Sequence, residues 1–190
     1  MFQNSPTAGT PKHPTLAGGR LLTLAGLALI AGSANAAVPT LINLNVMPGG
    51  TYSRGAQVNA NGTVVTGVGD LNTDELFGVR AFRWTASTGM QSLGVPTGLT
   101  STAGNSISIT GNAVAGNASN RLFRWTSTGG AQNLGLLPGG TVGLATGISG
   151  DGSIVVGYSN GSSGSYEACR WTSSGGVVSL GTLPGGAAGG

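Results

Sequence analysis

The sequence predicts an all-β protein made of tandem four-stranded antiparallel units, about three β-propeller-like blades in an incomplete array. The first observation is a tryptophan that recurs at positions 84, 125 and 171, each time between an arginine and a threonine. The second is glycine, which makes up 37 of the 190 residues and stands at fixed offsets between short apolar runs. The third is an Asn-Gly or Asp-Gly pair beside β-branched residues, a pattern that favours a hairpin turn.

Each unit contains four predicted strands. The first precedes the turn glycine, the second follows it, the third carries the tryptophan, and the fourth ends at a Leu-Gly pair. Asn61-Gly62 and Asp151-Gly152 are expected to form type I′ turns, in which both central residues have positive φ. The repeated turn and core positions are Gly62, Gly111, Gly152, Phe82, Trp84, Phe123, Trp125, Cys169 and Trp171. The units span about 43–94, 95–135 and 136–181, and a fourth begins at 182–190; a β-solenoid is the alternative fold.

The N-terminus has the layout of a secretory signal peptide. Lys12 and Arg20 precede an apolar run over 21–31, and the small-residue site Ala34-Asn35-Ala36 follows. We therefore expect cleavage after Ala36 and a mature β-repeat domain over 37–190. The apolar run is too short for a membrane span, which needs about 20 residues. No later segment has an apolar run of that length, so no span is expected in the mature chain.

The charged residues of the mature chain exclude several function classes. Lys12 and His13 are the only lysine and histidine, and both precede the expected cleavage site. Six arginines against five acids then leave a net charge of +1. A Ser-His-Asp arrangement, a histidine-ligated zinc, a P-loop lysine and Schiff-base chemistry all lack a required residue. The arginines are dispersed, which is unlike a nucleic-acid-binding surface. No enzyme activity and no cofactor are expected.

Carboxylate chemistry is the alternative that remains. A carbohydrate-active propeller enzyme would need two acids facing each other across a sugar. The available acids are Asp70, Asp74, Glu75, Asp151 and Glu167. Asp151 lies in a hairpin turn, where a side-chain acceptor is ordinary turn chemistry.

Asp70, Asn72 and Asp74 form a candidate calcium loop, because oxygen side chains at alternate positions are typical of such loops. Glu75 then stands in place of the turn glycine, and Ala81 in place of the bidentate glutamate. An ordinary solvated loop is therefore the preferred interpretation.

Two further residue types recur in the third strand. Cys169 occupies the position of Phe82 and Phe123, so we expect it to be buried and inert. Without a second cysteine it has no internal disulfide partner. The arginine before each tryptophan is expected to pair with a backbone carbonyl or an acid of the neighbouring unit. These arginines are Arg83, Arg124 and Arg170.

The repeated motifs resemble the HAF-type extracellular repeat of bacteria. The similarity rests on Arg80-Ala81-Phe82-Arg83-Trp84-Thr85 and Leu134-Gly135-Leu136-Leu137-Pro138-Gly139-Gly140, with Gly147-Ile148-Ser149-Gly150-Asp151-Gly152 and Val155-Val156-Gly157. It covers nearly all of 43–190. The His of the family name is missing from every unit, and Cys169 replaces the Phe of the third. The resemblance implies export and display outside the cell or on its surface, in a Gram-negative bacterium, without an established catalytic activity.

The lengths of the loops indicate where recognition is expected. The second loop of each unit varies over 68–81, 117–121 and 158–167, while the turns on the opposite rim keep a nearly constant length. Loops that vary over a constant scaffold are the usual place for recognition. We expect a noncatalytic secreted or surface-displayed module that either binds a glycan or protein or has a structural display role. An autotransporter-type passenger or spacer is another alternative. Three units do not close a propeller, so the chain is expected to be part of a longer array or to self-associate.

Overall fold

The computed structural model describes residues 40–71 and 78–183. Within these ranges the chain forms three four-stranded antiparallel sheets, and in each sheet the strands lie side by side in chain order. The first sheet contains β1 (Ser53–Val58), β2 (Val64–Asp70), β3 (Val79–Thr85) and β4 (Gly89–Ser92). The second contains β5 (Ala103–Ile107), β6 (Ala113–Ala118), β7 (Arg121–Thr126) and β8 (Gly130–Gly135). The third contains β9 (Gly143–Ile148), β10 (Ile154–Asn160), β11 (Tyr166–Thr172) and β12 (Gly176–Ser179).

The predicted fold class is confirmed. Each sheet lies within one predicted repeat, and its strands pair only with strands of the same repeat. A β-solenoid would instead pair strands of successive coils, so that alternative is wrong for the described residues. The described residues contain no helix that could span a membrane. The predicted signal peptide and residues 184–190 of the expected fourth unit lie outside the described residues.

A glycine in the second strand of each sheet allows the first strand to bulge towards it. A side chain on Gly67 would collide with the carbonyl oxygen of Arg54. The same holds for Gly116 against Ala103 and for Gly157 against Leu144. The register of the first strand shifts by one residue beside each glycine. A β-bulge increases local twist, so these repeated glycines shape all three sheets in the same way.

The hairpins at the turn glycines form, but the expected type I′ turn is wrong. Gly62 donates its N–H to the carbonyl of Asn59, and Asn59 in turn donates to Val64. The loop therefore has four residues, and Gly62 is the residue with positive φ, at 78°. Asn61 does not have positive φ. Four-residue hairpin loops are built around a type I turn, which needs only the glycine in the left-handed region.

The sheets pack face to face through apolar clusters. One cluster joins Val64 and Ala81 of the first sheet to Val114 and Phe123 of the second. The next joins the second sheet to the third, and it is made of Ala115, Leu122, Leu137, Ala145, Val155 and Cys169. On the free face of the first sheet, Phe82 is covered by Met47 and Met90. Phe123 of β7 and Cys169 of β11 thus face the preceding sheet. Phe82, at the equivalent position of β3, faces Met47, which precedes β1.

Candidate functional site

The loops of the three sheets lie on two rims. The turn rim carries the turns at Gly62, Gly111 and Gly152 together with the turns that follow the tryptophans. The loop rim carries the second loop of each unit and the links between units. The variable second loops were predicted over 68–81, 117–121 and 158–167, and the strands of the structure leave 71–78, 119–120 and 161–165 between them. Residues 72–77 of the first loop lie outside the described residues. The second is a two-residue turn in which Ser119 and Asn120 both have positive φ, as a type I′ turn requires.

A polar side chain at the end of the second strand holds the link that enters each unit. The Asp70 carboxylate accepts hydrogen bonds from the backbone N–H of Thr51 and Tyr52, at 2.7 and 2.8 Å, and from the Thr51 hydroxyl at 2.6 Å. These bonds, led by that of the Thr51 hydroxyl, lower the pKa of Asp70 below its ordinary value. Asn160 accepts in the same way from the N–H groups of Thr141 and Val142.

Ser119 has this role in the second unit, where it accepts from the N–H groups of Thr100 and Ser101. The carboxylate of Asp70, the hydroxyl of Ser119 and the amide of Asn160 thus accept equivalent hydrogen bonds in the three described units. The charge of Asp70 is therefore not required by the scaffold, and its oxygens serve the link between strands.

Of the candidate calcium loop, only Asp70 lies among the described residues. Asn72 and Asp74 lie outside the described residues, and both oxygens of Asp70 already accept hydrogen bonds from the link. Within 40–71 and 78–183, no group of three His, Cys, Asp or Glu residues could hold a metal ion.

The two other described acids also serve the scaffold. Asp151 accepts from the hydroxyls of Ser149 and Ser153 and from the Ser153 N–H, which lowers its pKa to about 2. The predicted turn role of Asp151 is confirmed by these bonds. Glu167, in β11, accepts a hydrogen bond from the hydroxyl of Ser179 in the adjacent strand β12. Asp74 and Glu75 lie outside the described residues.

The repeated arginines join one sheet to the next at the turn rim. The Nε of Arg83 donates to the carbonyl of Gly111 at 2.8 Å, and the Nε of Arg124 donates to the carbonyl of Gly152 at the same distance. The Arg124 guanidinium also lies over the Trp171 ring, 5.5 Å from its centre, which is within range of a cation–π interaction. The prediction that the repeated arginines pair with a backbone carbonyl of the neighbouring unit is confirmed for Arg83 and Arg124.

Burial lowers the pKa of Arg124, and the Asp151 carboxylate partly opposes this shift. An arginine stays protonated at every physiological pH, so the bridge between the sheets remains charged.

The repeated aromatic positions differ in burial. Phe82, Phe123 and Cys169 are fully buried. The three tryptophans are half-buried and pack against the edges of the clusters, so their rings reach the turn rim. They are Trp84, Trp125 and Trp171. Burial raises the pKa of the Cys169 thiol, which disfavours the reactive thiolate.

The surroundings of Cys169 differ from those of its phenylalanine equivalents. Phe123 shares its cluster with Ala81, two residues before Arg83. Cys169 shares its cluster with Leu122, two residues before Arg124 and hence at the position equivalent to Ala81. The larger leucine accompanies the smaller cysteine, so volume is exchanged between the two facing sheets.

An open cleft lies on the turn rim of the first sheet. Its volume is about 570 Å³, and it is lined among others by Gly62, Thr63, Trp84 and Ser87. The loop lengths in the sequence indicated recognition on the opposite rim, so this cleft was not expected. The repeated Arg-Trp pairs and turn glycines are the signal that could have located it.

Known structures offer two similar folds. The chain is similar to TolB from Acinetobacter baumannii, with 14% identity and a TM-score of 0.46, over 69% of this chain and 33% of that one. It is also similar to a putative TolB from Agrobacterium tumefaciens, with 11% identity and a TM-score of 0.47, over 66% of this chain and 45% of that one. The chain thus spans less than half the length of either protein. No family model and no curated protein matches it.

Proposed function

We propose that this chain is a noncatalytic, exported repeat module that binds an extracellular glycan or protein, or displays structure at the cell surface. The observation that carries the proposal is the role of the acids among the described residues. Asp70, Asp151 and Glu167 each accept hydrogen bonds from the scaffold. A glycosidase needs two carboxyl groups free to face the sugar, one as an acid and one as a base or nucleophile.

The sequence motifs support the same function. The Ala34-Asn35-Ala36 site is typical of export, and the resemblance to HAF-type repeats implies display outside the cell. The constant scaffold with variable second loops is the arrangement that recognition modules use. We therefore place the ligand-binding surface on the rims of the sheets and not in their packed interior.

A glycan array with a parallel hydrolysis assay tests the proposal. The full chain is compared with a variant that carries Asp70→Asn, Asp74→Asn, Glu75→Gln, Asp151→Asn and Glu167→Gln. Binding that both proteins share, without hydrolysis by either, would support a noncatalytic binder. Hydrolysis by the wild type that the variant loses would establish the carbohydrate-active enzyme instead.

The assay needs a control for folding, because three of the five acids bond within the scaffold. Asn160 accepts the same backbone hydrogen bonds from its link as Asp70 does, so an amide is a suitable replacement at position 70. Far-ultraviolet circular dichroism and a cooperative melt of the variant establish that the scaffold is intact. A chain that binds no glycan and no protein of the cell envelope would contradict recognition and leave the display role.

A further inference from the structure

One contact is repeated wherever two sheets meet. Arg83 donates to the carbonyl of Gly111, and Arg124 donates to the carbonyl of Gly152. Each contact joins the third strand of one unit to the hairpin turn of the next. Among the described residues, the first and third sheets each carry one half of this contact on a face that no other sheet covers.

The third sheet provides the arginine half. Arg170 has the same register as Arg83 and Arg124, and among the described residues its guanidinium has no hydrogen-bond partner. Val156, opposite Arg170, is 39% exposed, whereas its equivalents Thr66 and Ala115 are fully buried by the following sheet.

Ala168 shows the same difference. It is exposed, although its equivalents Ala81 and Leu122 are fully buried. The outer face of the third sheet thus has the register and the apolar surface of a junction between sheets, but no sheet covers it among the described residues.

The first sheet provides the turn half. A side chain added at Gly111 would meet Val64 of the preceding sheet, and one added at Gly152 would meet Ala113. A side chain added at Gly62 would meet nothing within 4 Å. The space that the preceding sheet fills at the other two turns is open at Gly62, which lines the cleft of about 570 Å³. Ile42 of the N-terminal segment and Thr110 of the second unit also line this cleft.

We propose that these two halves meet between copies of this chain, so that Arg170 of one copy enters the Gly62 cleft of a second copy. Its Nε donates to the Gly62 carbonyl, and its guanidinium lies over the Trp84 ring, as Arg124 lies over Trp171. The carbonyl oxygen and the ring face both attract a cation, so the cleft suits an arginine. This self-association does not depend on the ligand of the proposed function.

The proposed contact is head-to-tail, because it joins two different surfaces. Such contacts generate rings when the rotation closes and open chains when it does not. The described sheets of two copies number six, which lies within the typical range of about four to eight blades for a closed propeller. A ring of two copies is therefore compatible with the proposed contact.

Two single-site variants and their mixture test the contact by sedimentation of the full chain. Arg170→Glu reverses the charge of the arginine half. Ser87→Arg places in the cleft of the turn half a positive charge, which repels Arg170 of the other copy. Each variant alone should associate at least about tenfold more weakly than the wild type, because its two surfaces no longer match. Mixed in equal amounts they should associate again, since the carboxylate introduced in one variant meets the guanidinium introduced in the other.

Matched controls separate this effect from misfolding. Arg54→Glu makes the same charge change at an exposed position of β1, and Ser87→Gln adds bulk without charge. Both should sediment like the wild type, and all variants should melt cooperatively. A contact between two identical surfaces would let Ser87→Arg associate normally and would make mixing ineffective.

Three results would overturn the proposal: a wild-type monomer at about 100 µM, far above a micromolar dissociation constant; unchanged association of Arg170→Glu; or a mixture no heavier than its components. A closed dimer or a growing chain that both variants disrupt and their mixture restores would support it.

Discussion

The exchange of volume between Leu122 and Cys169 can be tested with a double-mutant cycle. Both side chains are fully buried in the same cluster between the second and third sheets. Leu122→Ala leaves a cavity and should lower the free energy of unfolding by about 2–5 kcal/mol. Cys169→Phe forces a ring against Leu122 and should cost about 1–3 kcal/mol. Phe82 and Phe123 occupy the equivalent position in the other units, but the position of Leu122 argues against a phenylalanine at 169.

The double variant recreates the pair that the preceding junction uses, Ala81 with Phe123. Its stability should return to within about 1 kcal/mol of the wild type, because volume-conserving exchanges are tolerated best. Urea unfolding of the four proteins, followed by fluorescence, gives the coupling energy as the departure from additivity. Additive losses would refute the argument that these residues fill one shared space. The reverse exchange, Ala81→Leu with Phe123→Cys, is the matched control.

Three further results are expected from the same scaffold. Asp70→Asn should melt near the wild type at pH 7, because Asn160 holds the equivalent link. The lowered pKa of Asp70 means that its stabilisation is complete above about pH 4 and is lost as pH falls through the folded-state value, so melting of the variant should depend less on pH in acid. A variant that melts with the acid dependence of the wild type would contradict this. Gly116→Ala should cost about 1–3 kcal/mol in urea unfolding, because its side chain would meet the backbone of Ala103. Gly55→Ala is the control, since its side chain would meet only Val65 at 3.6 Å, and equal losses would argue against the bulge. N-terminal sequencing of exported protein should begin at Ala37, and an intact Met1 on a secreted product would reject the predicted cleavage.

The repeat pattern was enough to predict the architecture. The spacing of Trp84, Trp125 and Trp171 and the glycine before each second strand set the four strands of every unit. Periodicity reports which face a residue occupies, and this also predicted that Arg83 and Arg124 would reach the next unit. These inferences needed only the alternation of side chains along a strand.

Other features could not be predicted because they depend on backbone pairing and on which faces meet in the folded chain. The turn at Gly62 differs from a type I′ turn because the backbone pairing of Asn59 with Val64 sets a four-residue loop. The compensation between Leu122 and Cys169 requires knowing which faces meet. The open cleft at Gly62 appears only when its surroundings are compared with those of Gly111 and Gly152.

The arginine contact between successive sheets is the central claim of this account, and Arg124→Met tests it most directly. The change keeps much of the side-chain length but removes the charged hydrogen bond to Gly152, worth about 1.5–3 kcal/mol, and a cation–π interaction of about 0.5–1 kcal/mol. Urea unfolding should show a loss of about 2–4 kcal/mol, whereas the exposed Arg54→Met should change stability by less than about 0.5 kcal/mol. Equal effects of the two substitutions would contradict the claim that the arginines hold the sheets together.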